Sequence, residues 1–166
     1  MLKVGQESRK RKRLVKRCGQ LDWEDLQDIA KTKGLEVMMA DPGYIADRRD
    51  RLLGLVITHA HEDHLGAVAD LWPLLEAPVF ATPFAASVLR RKLTEAGLQN
   101  VVPVTEIPLG GAFELPPFGL EMITMTHSIP EPNAVAIRTP LGTVIMDDVG
   151  LNPGTDKKYL AARLNP

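Results

Sequence analysis

At 166 residues, 45% of them hydrophobic and 25% charged, with a formal net charge of −1, the chain is long enough for one well-buried domain and short for two, since single domains run to about 100–150 residues. That composition excludes a disordered or fibrous protein, and no apolar run approaches the roughly 20 residues needed to span a bilayer. The lone cysteine, Cys18, excludes an internal disulfide and a thiolate metal site and points to a reducing, cytoplasmic setting.

Charge is unevenly spread. Residues 1–20 hold eight Lys or Arg (Lys3, Arg9, Lys10, Arg11, Lys12, Arg13, Lys16 and Arg17) against Glu7 alone, a local net charge of +7, so the remainder carries −8. This stretch reads as a basic flexible arm, in the first instance a solvated tail; runs of this kind also attract phosphate backbones by counterion release. It leads into Leu21-Asp22-Trp23-Glu24-Asp25 rather than a hydrophobic signal core, so secretion is not expected. Residues 21–166 are read as the domain.

Leu21 to Lys33 has helical spacing (Leu21, Leu26, Ile29, Ala30) and stops before Gly34, predicting a short amphipathic helix. Leu35 to Met39 reads as a short strand ended by the turn Asp41-Pro42-Gly43. After the charged stretch 47–51, Leu53 to Thr58 is an apolar run without alternation, as in a strand covered on both faces. Leu65 to Leu75 is helix-like, Pro78 to Ala81 a strand, and Pro83 opens a helix over Phe84 to Ala96 that ends at Gly97. The rest is mostly strand: Val101 to Val104, Gly119 to Met125, Ala134 to Arg138 and Gly142 to Met146, the last two joined by the tight turn Thr139-Pro140-Leu141-Gly142. Alternating strands and helices followed by clustered strands predict an α/β layered fold.

All four histidines fall directly after predicted strands, as His59, His61 and His64 in one place and His127 in another. At a strand end, residues i and i+2 point to the same side, so His59 and His61 can present two imidazoles to one ion. Asp63 and His64 follow where the chain turns into a helix and can serve a second ion. Imidazole and carboxylate are zinc ligands, and three or four of them with a retained water make a catalytic site; two ions about 3.5–4 Å apart can clamp a hydroxide and a phosphoryl or carbonyl oxygen. Left without a metal, four polar groups in six residues beside an apolar strand would each cost a few kcal/mol of desolvation. His127 taken alone reads first as a surface or hydrogen-bonded core histidine. Glu62 alternates away from the ligands, facing solvent or orienting a ligand from outside.

The run Val56-Ile57-Thr58-His59-Ala60-His61-Glu62-Asp63-His64-Leu65-Gly66-Ala67 resembles the signature of the metallo-β-lactamase superfamily. Thr126-His127-Ser128-Ile129-Pro130-Glu131 and Ile137-Arg138-Thr139-Pro140-Leu141-Gly142-Thr143-Val144 resemble bacterial ribonuclease J within it, and the likeness runs from about Gly34 to Asp148. The resemblance implies a partial αββα-type metallo-β-lactamase sandwich and a metal-dependent ribonuclease using two zinc ions. It makes His59, His61 and His127 ligands of one zinc and Asp63 and His64 ligands of the other, the latter two also counted as catalytic. Asp148 is the implied bridge between the ions, with Asp147 the alternative.

Three departures accompany the likeness. Residues 1–33 lack the family's glycine-rich opening, the stretch around Asp147 and Asp148 lacks its His and Thr-Gly flanks, and the family continues into a β-CASP domain that grips RNA and a final histidine ligand. The chain is therefore expected to be a truncated form with an incomplete second zinc site, whose exposed face a second copy or a partner chain could cover. RNA is the expected substrate and no membrane is expected. The other readings are a small-molecule hydrolase cutting a lactone, thioester or lactam, and a fragment without turnover that acts as an interaction module.

Overall fold

The computed structural model describes residues 41–146, together with the backbone of two short strands, β1 (Arg13–Leu14) and β2 (Val37–Met38). The rest of the basic arm, the helix expected over residues 21–33, and Asp147 and Asp148 lie outside the described residues. The chain divides into two compact units, Met1–Arg48 and Arg49–Pro166. In the first, β1 and β2 pair in parallel, Arg13 opposite Val37 and Leu14 opposite Met38. The turn at Asp41-Pro42-Gly43 runs on into a four-residue helix, α1 (Gly43–Ala46), whose first N–H is taken by Asp41 Oδ1 at 2.9 Å.

The second unit opens with a 3₁₀ turn at Arg49–Arg51 and holds two sheets. One is parallel, in the order β3 (Leu55–Ile57), β4 (Val79–Ala81), β5 (Val104–Glu106). Its crossovers carry α2 (Glu62–Leu65) and α3 (Val68–Leu75), then α4 (Pro83–Glu95). The other is an antiparallel meander, β6 (Ala112–Leu115), β7 (Phe118–Thr124), β8 (Asn133–Thr139) and β9 (Gly142–Met146).

The strand period of two decides how these layers stack. Leu55 and Ile57 of β3 and Val79 and Ala81 of β4 turn towards the helices, packing with Leu65, Leu89 and Leu93. The residues between them, Val56 and Phe80, turn the other way and pack with Leu120, Met122 and Val135 of the second sheet. β3 and β4 are thus covered on both faces, which is why they carry apolar residues at every position, whereas the edge strand β5 ends in the exposed Thr105 and Glu106. Each fully buried leucine of this kind stabilises the fold by about 1.5–3 kcal/mol. On the far side of the antiparallel sheet, Ile123, Ala134 and Ala136 form a third cluster, beside an ion pair between the buried Glu121 and Arg138. Helix, parallel sheet and antiparallel sheet make the expected α/β layered class.

Some element boundaries differ from expectation. The helix over 65–75 is two helices, and the first starts at Glu62, where Glu62 and Asp63 put two acidic side chains in the first turn and favour the positive end of the helix dipole. The strand expected over 101–104 lies at 104–106, because the ladder sets Val104 opposite Val79 while Val101 and Val102 donate back to the Leu98 carbonyl after α4. Strand β6 was not anticipated. Only Phe113 and Leu115 of it turn inward, and Pro116-Pro117 reverses the chain directly into β7. The hairpin at 139–142 forms as expected, with Thr139 Oγ1 donating to the Gly142 carbonyl at 2.9 Å and Gly142 at φ 135°, a conformation favouring glycine. Among the described residues no helix is long and apolar enough to cross a membrane.

Candidate metal centre

Ligands of open α/β sheets collect where the parallel strands end and the chain turns away. Strand β3 ends at Ile57, and two residues on, His59 is buried to 1% exposure at that rim. His61 is the N-cap of α2, with extended backbone (φ −64°, ψ 150°) and no side-chain capping bond. Its carbonyl accepts from the N–H groups of His64 and Leu65 at 3.1 and 2.9 Å, which leaves the imidazole to turn towards His59. Leu65, wholly buried in the core, anchors the end of that turn. His127 comes from the other sheet, on the loop between β7 and β8 that is closed by Met125 N–H donating to the Pro132 carbonyl at 2.9 Å.

The three rings meet. His61 Nδ1 lies 3.0 Å from His59 Nε2 and 2.9 Å from His127 Nε2, and one nitrogen from each histidine lies within 4.8 Å of the others. All three pairs of rings are close to edge-to-face, with interplanar angles of 79°, 85° and 85°. A ring nitrogen carries one proton or one lone pair, so His61 Nδ1 can make one good hydrogen bond and not two. A cation between the nitrogens resolves this. Zinc–nitrogen bonds of about 2.0–2.1 Å in tetrahedral geometry set ligand nitrogens about 3.3 Å apart, close to the 3.0 and 2.9 Å that separate His61 Nδ1 from the other two. The donor set and its geometry therefore fit a metal ion.

Around the triad, Thr58 Oγ1 lies 3.0 Å from His59 Nδ1. If the ring donates there, the lone pair of Nε2 faces the site. Asn133, 4% exposed at the start of β8, donates from Nδ2 to the Thr58 carbonyl at 3.1 Å and to the Glu131 carbonyl at 2.7 Å. Glu131 sits at a positive φ of 54°, and its Oε2 accepts from the Phe84 N–H at 2.8 Å in the first turn of α4.

Of the remaining sequence candidates, His64 packs against this group and the others do not join it among the described residues. The His64 ring lies 4.2 Å from that of His59, tilted by 43°. The Asp63 side chain is 79% exposed, with Oδ2 3.6 Å from His64 Nε2. Asp147 and Asp148 lie outside the described residues. Glu62 faces solvent and receives Lys92 Nζ at 2.8 Å. The residues that pattern reading missed are Thr58, Glu131 and Asn133. Glu131 and Asn133 act through contacts to distant or backbone partners, for which sequence spacing carries no signal, and Thr58 acts on the ring of its neighbour His59.

Residues 28–155 match the family described as the beta-lactamase superfamily domain. The chain is 43% identical over 112 residues to ribonuclease J of Sinorhizobium meliloti and 38% identical over 112 residues to ribonuclease J 1 of Streptococcus pyogenes, covering 68% of this chain and 20% of the relative in both cases. It thus spans about a fifth of the length of these curated relatives. Among solved structures, CmlA, a diiron β-hydroxylase from Streptomyces venezuelae, is similar with a TM-score of 0.51 at 18% identity, over 68% of this chain and 23% of that one; this is a likeness of fold alone. With the family match running over both sheets and all four histidines, the chain belongs to the metallo-β-lactamase superfamily, as a ribonuclease J-like member.

Proposed function

We propose that this chain provides the metal-binding part of a zinc-dependent hydrolase that cleaves RNA phosphodiester bonds. The observation that carries the reading is the convergence of His59, His61 and His127 at the end of β3, in a chain 43% identical over its matched part to a ribonuclease J. Zinc bound there supplies Lewis acidity and a water acidified to near neutral pH. The residues of the chain supply placement. His59, His61 and His127 hold the first ion, and Thr58 fixes the tautomer of His59. Asp63 and His64 would serve as ligands of a second ion, to which the resemblance adds the carboxylate of Asp148, or of Asp147. Imidazole donors suit zinc, with iron the competing metal. The single cysteine agrees with a cytoplasmic setting.

A second reading, metal binding without turnover unless a second copy or a partner chain completes the site, is favoured by the exposed position of the Asp63 carboxylate. Elemental analysis of the purified chain, with cleavage of labelled RNA and of small esters and lactones measured on the same sample, separates these. The first reading expects bound zinc and RNA cleavage, both lost in His61→Ala. Zinc without cleavage favours the second reading, ester or lactone hydrolysis without RNA cleavage favours a small-molecule enzyme, and a wild-type chain that holds no metal overturns the proposal.

A further inference from the structure

We infer that Asn133 is a positioning residue for the metal centre, its amide tying the loop that carries His59 and His61 to the loop that carries His127. The inference rests on the metal-binding reading of those three histidines. They are supplied by two different sheets: β3, which leads into His59, belongs to the parallel sheet, and β7 and β8, which flank His127, to the antiparallel one. No strand ladder joins the two loops, so the spacing of His127 from the other two rings depends on contacts made across the gap between the sheets.

Asn133 makes such a contact. One side-chain nitrogen reaches the Thr58 carbonyl at 3.1 Å, directly before His59, and the Glu131 carbonyl at 2.7 Å, four residues after His127. An amide NH₂ has two donors, and here each has a carbonyl on a different loop. Asn133 is 4% exposed, so water does not readily replace it. The amide oxygen faces Thr124 Oγ1 at 3.4 Å, across the β7–β8 pair where Thr124 stands opposite Asn133. That orients the amide with its nitrogen towards the two loops. A second tie holds the same loop from its other side, the Glu131 carboxylate on the Phe84 N–H. The apolar clusters that join the layers do not include Asn133. Its donor contacts all go to the site loops. Aspartate has the same shape but no donor, and would turn an oxygen towards two carbonyls.

The test compares the wild-type chain, Asn133→Asp and the uncharged Asn133→Ser, which serves alone if the aspartate variant does not fold. Zinc affinity is read by chelator competition, the cobalt(II)-loaded protein by its visible spectrum, and the metal-free protein by long-range proton–nitrogen spectra of the histidine rings. Positioning residues outside a ligand set change metal affinity by about 10–100-fold. A loss of tenfold or more in affinity, an altered cobalt spectrum, and moved ring resonances of His127 and His59 in the metal-free protein are expected. A folded variant with wild-type affinity, cobalt spectrum and ring resonances overturns the inference, because a merely structural asparagine would lower the melting temperature and leave these unchanged. A wild-type chain that binds no metal overturns the metal reading instead, and in that case the ring resonances alone decide whether the tie exists.

Discussion

Adding one methyl group at Gly66 should strain the turn of helix that carries His64. The backbone of Gly66 is ordinary helix (φ −59°, ψ −40°), so its conformation admits alanine. The space does not. A Cβ placed there would fall closer than 3.0 Å to both the carbonyl oxygen and Oε1 of Glu62, and 2.7 Å from Glu62 Cδ. The carboxylate can swing aside, at the expense of its ion pair with Lys92, an exposed contact worth at most about 1 kcal/mol. The carbonyl has no such freedom, because it accepts the Gly66 N–H at 2.8 Å as the closing bond of α2. Overpacking of this kind costs about 1–3 kcal/mol, and the backbone part should dominate. In urea, Gly66→Ala should therefore lower the midpoint at unchanged slope, with a fall in melting temperature of roughly 2–4 °C per kcal/mol. Adding Glu62→Ala removes the carboxylate clash but leaves the carbonyl, so it should restore only a small part of the loss. Wild-type stability in Gly66→Ala, or full recovery in the double variant, would show that the backbone contact does not set the cost.

Three further sets of substitutions probe other links. Glu131→Ala removes a carboxylate from the first turn of α4 and should cost about 1 kcal/mol, whereas Glu131→Gly loses the same bond but relieves the positive φ of 54° and should melt above the alanine variant by about 1 kcal/mol; the reverse order in thermal denaturation refutes the strain argument. Arg138→Ala takes the guanidinium from Glu121, which is 7% exposed, and should cost about 1–3 kcal/mol, with the partial exposure of Arg138 holding it below a fully buried pair. A double-mutant cycle with Glu121→Gln is the check, and a coupling near zero removes the pair from the account. Leu65→Ala empties a fully buried site next to His64 and should cost about 2–5 kcal/mol, while Leu65→Met stays under about 1.5 kcal/mol; equal midpoints for the two in denaturant titration would mean that Leu65 is not packed as described.

What could be read from the chain was what is local. His59 and His61 lie two residues apart at the end of an apolar strand, and that spacing is enough to anticipate that their rings share a side. The helix from Pro83 to Glu95 was legible because Pro at its first position and Gly97 beyond its end mark both termini. Strand β5 was displaced because its position is set by the ladder with β4, a partner more than twenty residues away that no local pattern encodes. Strand β6 escaped notice because two inward side chains are too few to make an alternating signal. That His127 would meet His61 followed only from the resemblance to ribonuclease J, since 66 residues and a change of sheet separate them.

The two sheets contribute unequally to the histidine cluster, and this bears on how the centre is held. His59 and His61 are fixed by covalent succession, with β3 on one side and the start of α2 on the other, so their spacing survives as long as β3 and Leu65 remain in the helix-facing core. His127 has no such succession. Its distance from the other two rings depends on how the second sheet packs through Leu120, Met122 and Val135 against Val56 and Phe80, and on how the β7–β8 loop is tied at Glu131 and Asn133. Apolar packing resists separation of the sheets but is non-directional, so it tolerates small slides that move a ring by a fraction of an ångström. Hydrogen bonds to the Thr58 carbonyl and the Phe84 N–H are directional and remove that freedom. The polar ties thus do for His127 what chain connectivity does for His59 and His61.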